Sequence, residues 1–392
     1  MKKNHIILAL LATSLYCKAQ TGIEPILQQI EANNQELKAN TALIEAQKLE
    51  AQTINNLPDP QFSYGHVWNS KESSKTIGEL IISQSFDFPT LYFSRNKVKN
   101  LQIKGYNFQA EAIRQDLLLQ AKEICLDLKA LQQQKEILKE RLDQTKQLYD
   151  LYQERLSRGD ANILEINKVK LELLNATTEW QLKEKEWKNK KEELQALNGN
   201  LPLENLHFEL IRTPLPHSFE EVLQTSIAED YNLLALNEEI KANQKQIKVN
   251  HSNWLPKLEL GYKRNSEPGT HFNGIVVGFS IPLFNNRKKV KIAQAEVLNS
   301  TLMKEVKLTQ VEIQLKQAYQ EALSLSESLS AYDKQFRAAT DLDLLKEALD
   351  GGQISLIEFF TETSIIYQSQ LNYITLENQY EKAMALLYKH QL

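Results

Sequence analysis

The sequence predicts a mainly α protein with a small β part, built as a tandem duplication of helix, β-hairpin and long helical hairpin. Three observations lead there. Glycine and proline are scarce and clustered, 12 and 10 in 392 residues, so most of the chain is free to run as long helices. Two stretches, Arg158-Gly159-Asp160-Ala161-Asn162-Ile163-Leu164-Glu165 and Gly351-Gly352-Gln353-Ile354-Ser355-Leu356-Ile357-Glu358, break a helical pattern in the same way, and Gly159 and Gly352 stand 193 positions apart. The same offset carries Phe86-Asp87-Phe88-Pro89 onto Phe279-Ser280-Ile281-Pro282, and two unrelated landmarks sharing one spacing point to a repeat.

In order, the chain opens with a basic start, Met1-Lys2-Lys3, an apolar run from Ile6 to Tyr16, and Cys17-Lys18-Ala19-Gln20. This is the pattern of a secretory signal peptide, expected over 1–19. The competing reading is a lipoprotein modified at Cys17, for which Tyr16 is a poor preceding residue. The apolar run is too short to span a bilayer of about 30 Å, and no later segment reaches roughly 18 unbroken apolar residues. Any membrane crossing must therefore use strands.

The first repeat is expected over 20–199. Residues 23–55 hold no glycine and one proline, Pro25 at the very start, and read as a helix, which Leu57-Pro58-Asp59-Pro60 ends. A strand at about 60–68 sets Phe62, Tyr64 and Trp68 against Gln61, Ser63 and Gly65. A second at about 76–88 sets Leu80, Ile82, Phe86 and Phe88 against Glu79, Ser83, Ser85 and Asp87, and Pro89 stops it. The longest regular stretch follows, 91–156 with only Gly105 inside, close to 100 Å at ~1.5 Å per residue. Its spacing is that of a coiled coil, alternating by four and three through Leu117, Ala121, Ile124, Leu128 and on to Tyr152 and Leu156, with Lys135 and Thr145 in the same row. Such a rod needs a partner, supplied by a return helix over 164–197 beyond the turn at 158–162. A linker over 200–217 leads to the second repeat, 218–392: a helix to about 250, strands at about 257–264 and 272–282, a long helix over 288–350, the turn at 351–355 and a return helix to Leu392.

Four strands with one apolar and one polar face suit neither a soluble core nor a closed single-chain barrel, and an open sheet leaves unpaired edges in lipid. Several chains donating four strands each would close one barrel, with Tyr64 and Trp68 placed for its aromatic girdles. Other classes fall away. The formal charge of -4 is nearly balanced and intermixed, leaving no basic surface for nucleic acid. Cys17 and Cys125 support neither a disulfide framework nor a metal cluster, and Cys125 reads as a small apolar residue on a helix face. The seven histidines are scattered, methionines number three, and no metal-ligand or phosphate-loop spacing occurs. Neither an enzyme nor a cofactor is expected.

Phe279-Ser280-Ile281-Pro282-Leu283-Phe284, followed by Asn286-Arg287-Lys288, together with the two glycine turns in duplicate, resembles the TolC-like outer membrane efflux channels over essentially the whole mature chain. The resemblance implies a homotrimer with a twelve-stranded outer membrane β-barrel, continued by a periplasmic α-helical tunnel. It implies as partners a periplasmic adaptor, or membrane fusion protein, and an inner membrane efflux pump, with the barrel in outer membrane lipids. The turns would dock the adaptor, through Arg158, Gly159, Asp160 and Ala161 in the first and Gly351, Gly352, Gln353, Ile354 and Ser355 in the second. Glu358 takes the place of an acidic ring at the constricted periplasmic entrance, with Glu165 its counterpart; the plainer alternative is an exposed helix carboxylate. Three carboxylates around one axis would favour cations and raise some of their pKa values. Relatives often carry a second acid where this chain has Thr361, with Glu362 one step off that face, and Asn167 stands near an acid position of the first repeat. The compact chain leans toward the heavy-metal branch resembling CusC and CzcC, within a family that exports metals, drugs and proteins. The alternatives are a periplasmic adaptor, which calls for one hairpin flanked by compact β domains, and a structural coiled-coil protein, which leaves the strands unexplained.

Overall fold

The computed structural model describes residues 22–72, 76–203, 206, 212–338 and 342–392. The expected signal peptide, with Cys17, and part of the 200–217 linker lie outside the described residues. The elements run α1 (Glu24–Asn33), α2 (Gln35–Gln52), β1 (Gln61–Trp68), β2 (Thr76–Phe86), α3 (Pro89–Arg158) and α4 (Ile163–Leu197). Then follow α5 (Phe219–Glu229), α6 (Tyr231–Ser252), β3 (Lys257–Glu267), β4 (Thr270–Ser280), α7 (Lys289–Ala338), α8 (Leu342–Asp350) and α9 (Leu356–Leu387). The fold is mainly helical with one small antiparallel sheet.

Two expected helices are divided. The one over 23–55 breaks at Asn34, whose backbone leaves the helix at ψ 126°. No glycine or proline marks the break; a tertiary contact does, as the Asn34 side-chain amide donates to the Leu197 carbonyl at 2.8 Å and Asn33 donates to the Asn198 side chain at 3.0 Å. The helix expected over 218–250 restarts at Asp230, which caps α6 by accepting from the Leu233 N–H at 2.8 Å. The helix expected over 288–350 is described as α7 and α8, with 339–341 outside the described residues.

The described chain forms two compact units. One contains the sheet, in residues Gln35–Gln120, Leu215–Ser330 and Lys382–Leu392. Its four strands are antiparallel in the order β1-β2-β3-β4, and the register sets Phe62, Ile82, Tyr262 and Ile275 in one row across all of them. The next row, Gln61, Ser83, Gly261 and Val276, falls on the other face because side chains alternate. Gly261 fits there for lack of a Cβ, which would lie 2.8 Å from the Ile82 carbonyl oxygen. β2 ends at Phe86 because the Asp87 N–H donates to the Tyr92 hydroxyl at 3.0 Å. β3 and β4 extend to a tight turn at Pro268-Gly269, where Gly269 has φ +83°.

The second unit contains the turns, in residues up to Asn34, Ala121–Pro214 and Ala331–Glu381. Here α3 is flanked by α4 and α9. The seam residues Ile124, Leu128 and Leu138 are buried, and Cys125 beside them is buried with its thiol pushed up to about 12 by desolvation. Lys135, a charge in the apolar row, is held by Glu184 of α4 at 2.5 Å and lies 4.4 Å over the Trp187 ring. Arg141 forks onto Glu172 and Glu179 of α4 at 2.5 and 2.8 Å. On the other flank, Gln134 donates to Thr375 at 3.1 Å and Tyr367 donates to Gln144 at 2.6 Å. The linker is tied in by Arg212, which donates to Asp333 at 3.0 Å and to the Tyr373 hydroxyl at 2.7 Å, and by Thr213, whose N–H and hydroxyl both donate to Glu381.

Candidate functional site

In the sheet unit, the face carrying the row Phe62, Ile82, Tyr262 and Ile275 has little protein over it. Phe62, Phe279 and Ile275 are 71, 73 and 84% exposed, and so continuous an apolar surface calls for another covering. The opposite face is charged and paired: Lys263 meets Glu79 at 2.6 Å, and Asp87 meets Arg95 at 2.7 Å and Lys257 at 3.5 Å. β1 and β4 each pair on one side only among the described residues. The sheet is thus apolar on one face and polar on the other, with two edges left to pair among the described residues.

In the other unit, the two turns repeat one design. α3 ends in a Schellman motif: Gly159 adopts φ +83° and the Asp160 N–H donates to the Arg155 carbonyl at 2.8 Å. α8 ends likewise, with Gly352 at φ +67° and the Gln353 N–H on the Ala348 carbonyl at 2.8 Å. Three residues past each glycine comes an N-cap. Asn162 accepts from the N–H groups of Leu164 and Glu165 at 2.9 and 3.0 Å, while the Glu165 carboxylate accepts from the Asn162 N–H at 2.9 Å. Ser355 accepts from the Glu358 N–H at 3.3 Å, and the Glu358 carboxylate accepts from the Ser355 N–H at 2.7 Å. Both are capping boxes.

The structure thus places both expected gate glutamates at the start of a helix, each engaged with its own turn. The Glu358 carboxyl is held below the ordinary 4.5 by the hydrogen bonds from the Ser355 backbone and side chain, whereas a ring of like charges would move it upward. Thr361, where a second acid was in question, turns its hydroxyl onto the Ile357 carbonyl at 2.9 Å. Arg158, the last residue of α3, is exposed and paired with Glu154. Asp160, Gly351, Gly352, Gln353 and Ser355 are exposed, while Ala161 and Ile354 are half-buried.

Those two half-buried residues bring the turns together. Ala161 and Ile354 pack on a common core of Tyr152, Val169, Leu349 and Leu356, bordered by Leu148, Tyr149, Phe359 and Phe360. Burial raises the Tyr152 hydroxyl pKa above its usual value. Sequence reasoning missed the capping role of Glu165 and Glu358 although the signal was present: Asn162-x-x-Glu165 and Ser355-x-x-Glu358 are the capping-box pattern. Among the described residues no group of three His, Cys, Asp or Glu is placed to hold a metal ion, and no helix is long and apolar enough to cross a membrane.

An open antiparallel sheet joined to two long helical hairpins is the fold of outer membrane channel subunits. The chain is similar to the Campylobacter jejuni CmeC outer membrane channel, at 16% identity and TM-score 0.74 over 94% of this chain and 85% of that one. It is similar to the outer membrane protein VceC from Vibrio cholerae, at 13% identity and TM-score 0.75 over 94% and 95%, and to CusC, at 15% identity and TM-score 0.74 over 95% and 92%. At such identities the fold alone is shared, and near-equal scores do not single out a metal branch. Residues 222–390 match the family model described as outer membrane efflux protein. The chain shares the TolC-like fold of these channel proteins, and the second half of it matches the efflux family model. A search of curated protein sequences gives no match.

Proposed function

We propose that this protein is the outer membrane channel of a tripartite efflux system, a passive duct for substrates that an inner membrane pump delivers through a periplasmic adaptor. The observation that carries it is the apolar row Phe62, Ile82, Tyr262 and Ile275 on a sheet whose edge strands β1 and β4 have one neighbour each among the described residues. Three copies would pair those edges into a twelve-stranded barrel with the apolar face in outer membrane lipid and the Glu79, Lys263 and Asp87 face toward water. The helices of the repeats 20–199 and 218–392 would form a periplasmic tunnel, with the 200–217 linker at its waist. The turns at 158–162 and 351–355 would face the adaptor, with Glu358 and Glu165 at the entrance. The cargo is a class of compound the pump selects: metal ions, drugs or secreted protein.

Chemical cross-linking and planar-bilayer recording of the purified full-length protein test this. A cross-linked species at three chain masses that conducts in discrete steps is expected. Recovery of the protein in a soluble periplasmic fraction, or a monomer that does not conduct, would sink the proposal.

A further inference from the structure

We propose that Arg287, Lys288 and Lys289, at the end of the apolar sheet face, hold the phosphate headgroup of an anionic phospholipid. The inference rests on the reading of that face as lipid-facing. Past β4 the exposed apolar run continues through Ile281, Leu283 and Phe284, the last of them 70% exposed. It ends at Arg287, whose guanidinium lies 5.4 Å over the Phe284 ring, so the charge is held at the margin of the apolar surface. Lys288, Lys289 and Lys291 follow directly, and all four cations are exposed. A phospholipid has the same order, apolar chains that end in a phosphate, and the planar fork of an arginine fits the oxygens of that phosphate.

The charge around the cluster decides the sign of the headgroup. From 268 to 295 the chain holds no Asp or Glu. The end of α6 packs on the same segment, as the Asn250 side chain donates to the Lys289 carbonyl at 2.9 Å and Asn286 donates to the Asn253 carbonyl. That neighbour brings no acid either, since 240–258 contains lysines and no Asp or Glu. None of the four cations forms an ion pair among the described residues. The first repeat supplies the contrast. Its strands also lead into a basic run, Arg95-Asn96-Lys97-Val98-Lys99 against Arg287-Lys288-Lys289-Val290-Lys291, but there Asp87 pairs with Arg95 at 2.7 Å. The repeat offset of 193 puts Ser280 in the place of Asp87, so the second copy keeps the basic run and lacks the acid that neutralises the first. A zwitterionic headgroup brings its own ammonium beside the phosphate and gains less from such a cluster than an anionic one.

The test is electron paramagnetic resonance of the full-length protein in phosphatidylcholine bilayers, with either phosphatidylglycerol or phosphatidylcholine spin-labelled near the chain end. Lipid against the apolar face gives a motionally restricted component, and its size for each label measures relative affinity. Phosphatidylglycerol should be favoured about threefold, and the preference should disappear in about 1 M salt, where the Debye length is about 3 Å. The triple variant Arg287→Gln, Lys288→Gln, Lys289→Gln should abolish the preference and leave the phosphatidylcholine component intact, which shows the sheet still seated in the bilayer. Should the triple variant lose that component, Arg287→Gln alone decides, with a preference reduced by about half. Lys185→Gln, at an exposed position of α4 in the other unit, should change neither label. Equal restriction of the two labels, or a preference that survives the substitutions, would overturn this inference and leave the lipid-facing reading standing. Restriction of neither label would overturn both.

Discussion

The turn at Gly159 and the turn at Gly352 share a backbone design and divide the work of capping differently. In the first, the Asn162 side chain accepts two N–H groups at 2.9 and 3.0 Å, and Glu165 reaches back at 2.9 Å. In the second, the serine hydroxyl manages one long contact of 3.3 Å while Glu358 reaches back at 2.7 Å. The shorter serine side chain leaves the glutamate as the firmer half of the second cap. A residue proposed for the entrance is therefore also a structural residue of its own turn, and substitutions there must be chosen to separate the two roles.

The largest expected effect tests whether the turns stand or fall together. Leu356 is buried in the core that both turns share, and Leu356→Ala should cost about 2–5 kcal/mol by transfer and cavity terms. Trypsin cleavage after Arg158, in the other repeat, should then accelerate at least about tenfold, since the open state becomes more populated. An unchanged rate at Arg158 would mean that the turns are supported independently.

Next come the glycines. Gly159→Ala and Gly352→Ala should each cost about 1 kcal/mol, because both need positive φ while an added Cβ would meet no neighbouring atom within 4 Å. Gly351→Ala differs in kind: its Cβ would lie 3.1 Å from the Glu347 carbonyl oxygen, so its cost depends on whether that oxygen yields. Chemical denaturation of the three variants compares them, and Asn in place of Gly159 should recover part of the loss.

Much of this was legible beforehand for a physical reason. The apolar alternation of the strands and the rows of α3 are set by periods of 2 and 3.5 that a sequence displays directly, and Gly159 and Gly352 mark their turns because few other residues tolerate that φ. The breaks at Asn34 and Asp230 were not read. Asn34 leaves its helix for a carbonyl at Leu197, 163 positions away, which no local pattern reports. Asp230 and the two capping boxes were readable by local rules, as was Pro268-Gly269, but the repeat landmarks drew the eye to charge at Glu358 rather than to its spacing from Ser355. Which surfaces meet another chain stays beyond any periodicity.

The caps come third. Asn162→Ala should cost about 1 kcal/mol and Ser355→Ala about half that, in line with two good hydrogen bonds lost against one long one. Hydrogen exchange at the first turn of α4 and of α9 reads the two separately. Equal losses would show that the serine carries more than its geometry indicates.

The smallest effect is the most informative about the entrance. Within the chain, hydrogen bonds from Ser355 hold the Glu358 carboxyl below 4.5. A depressed carboxylate contributes stability that is present above its unfolded value and is lost as pH falls through the folded one, so α9 should keep its cap at neutral pH and begin to fray only in acid below about 4.5. Carboxyl-carbon NMR of labelled glutamate should place the Glu358 midpoint under that value, with Ser355→Ala returning it part of the way because the backbone N–H remains. Glu358→Gln should keep the cap, as glutamine serves in a capping box, while removing the charge, and any change in cation preference of the conducting protein would then belong to the charge alone. A midpoint above 4.5 in the assembled channel would mean that repulsion between neighbouring chains outweighs the cap, and that the entrance, rather than the turn, governs this residue.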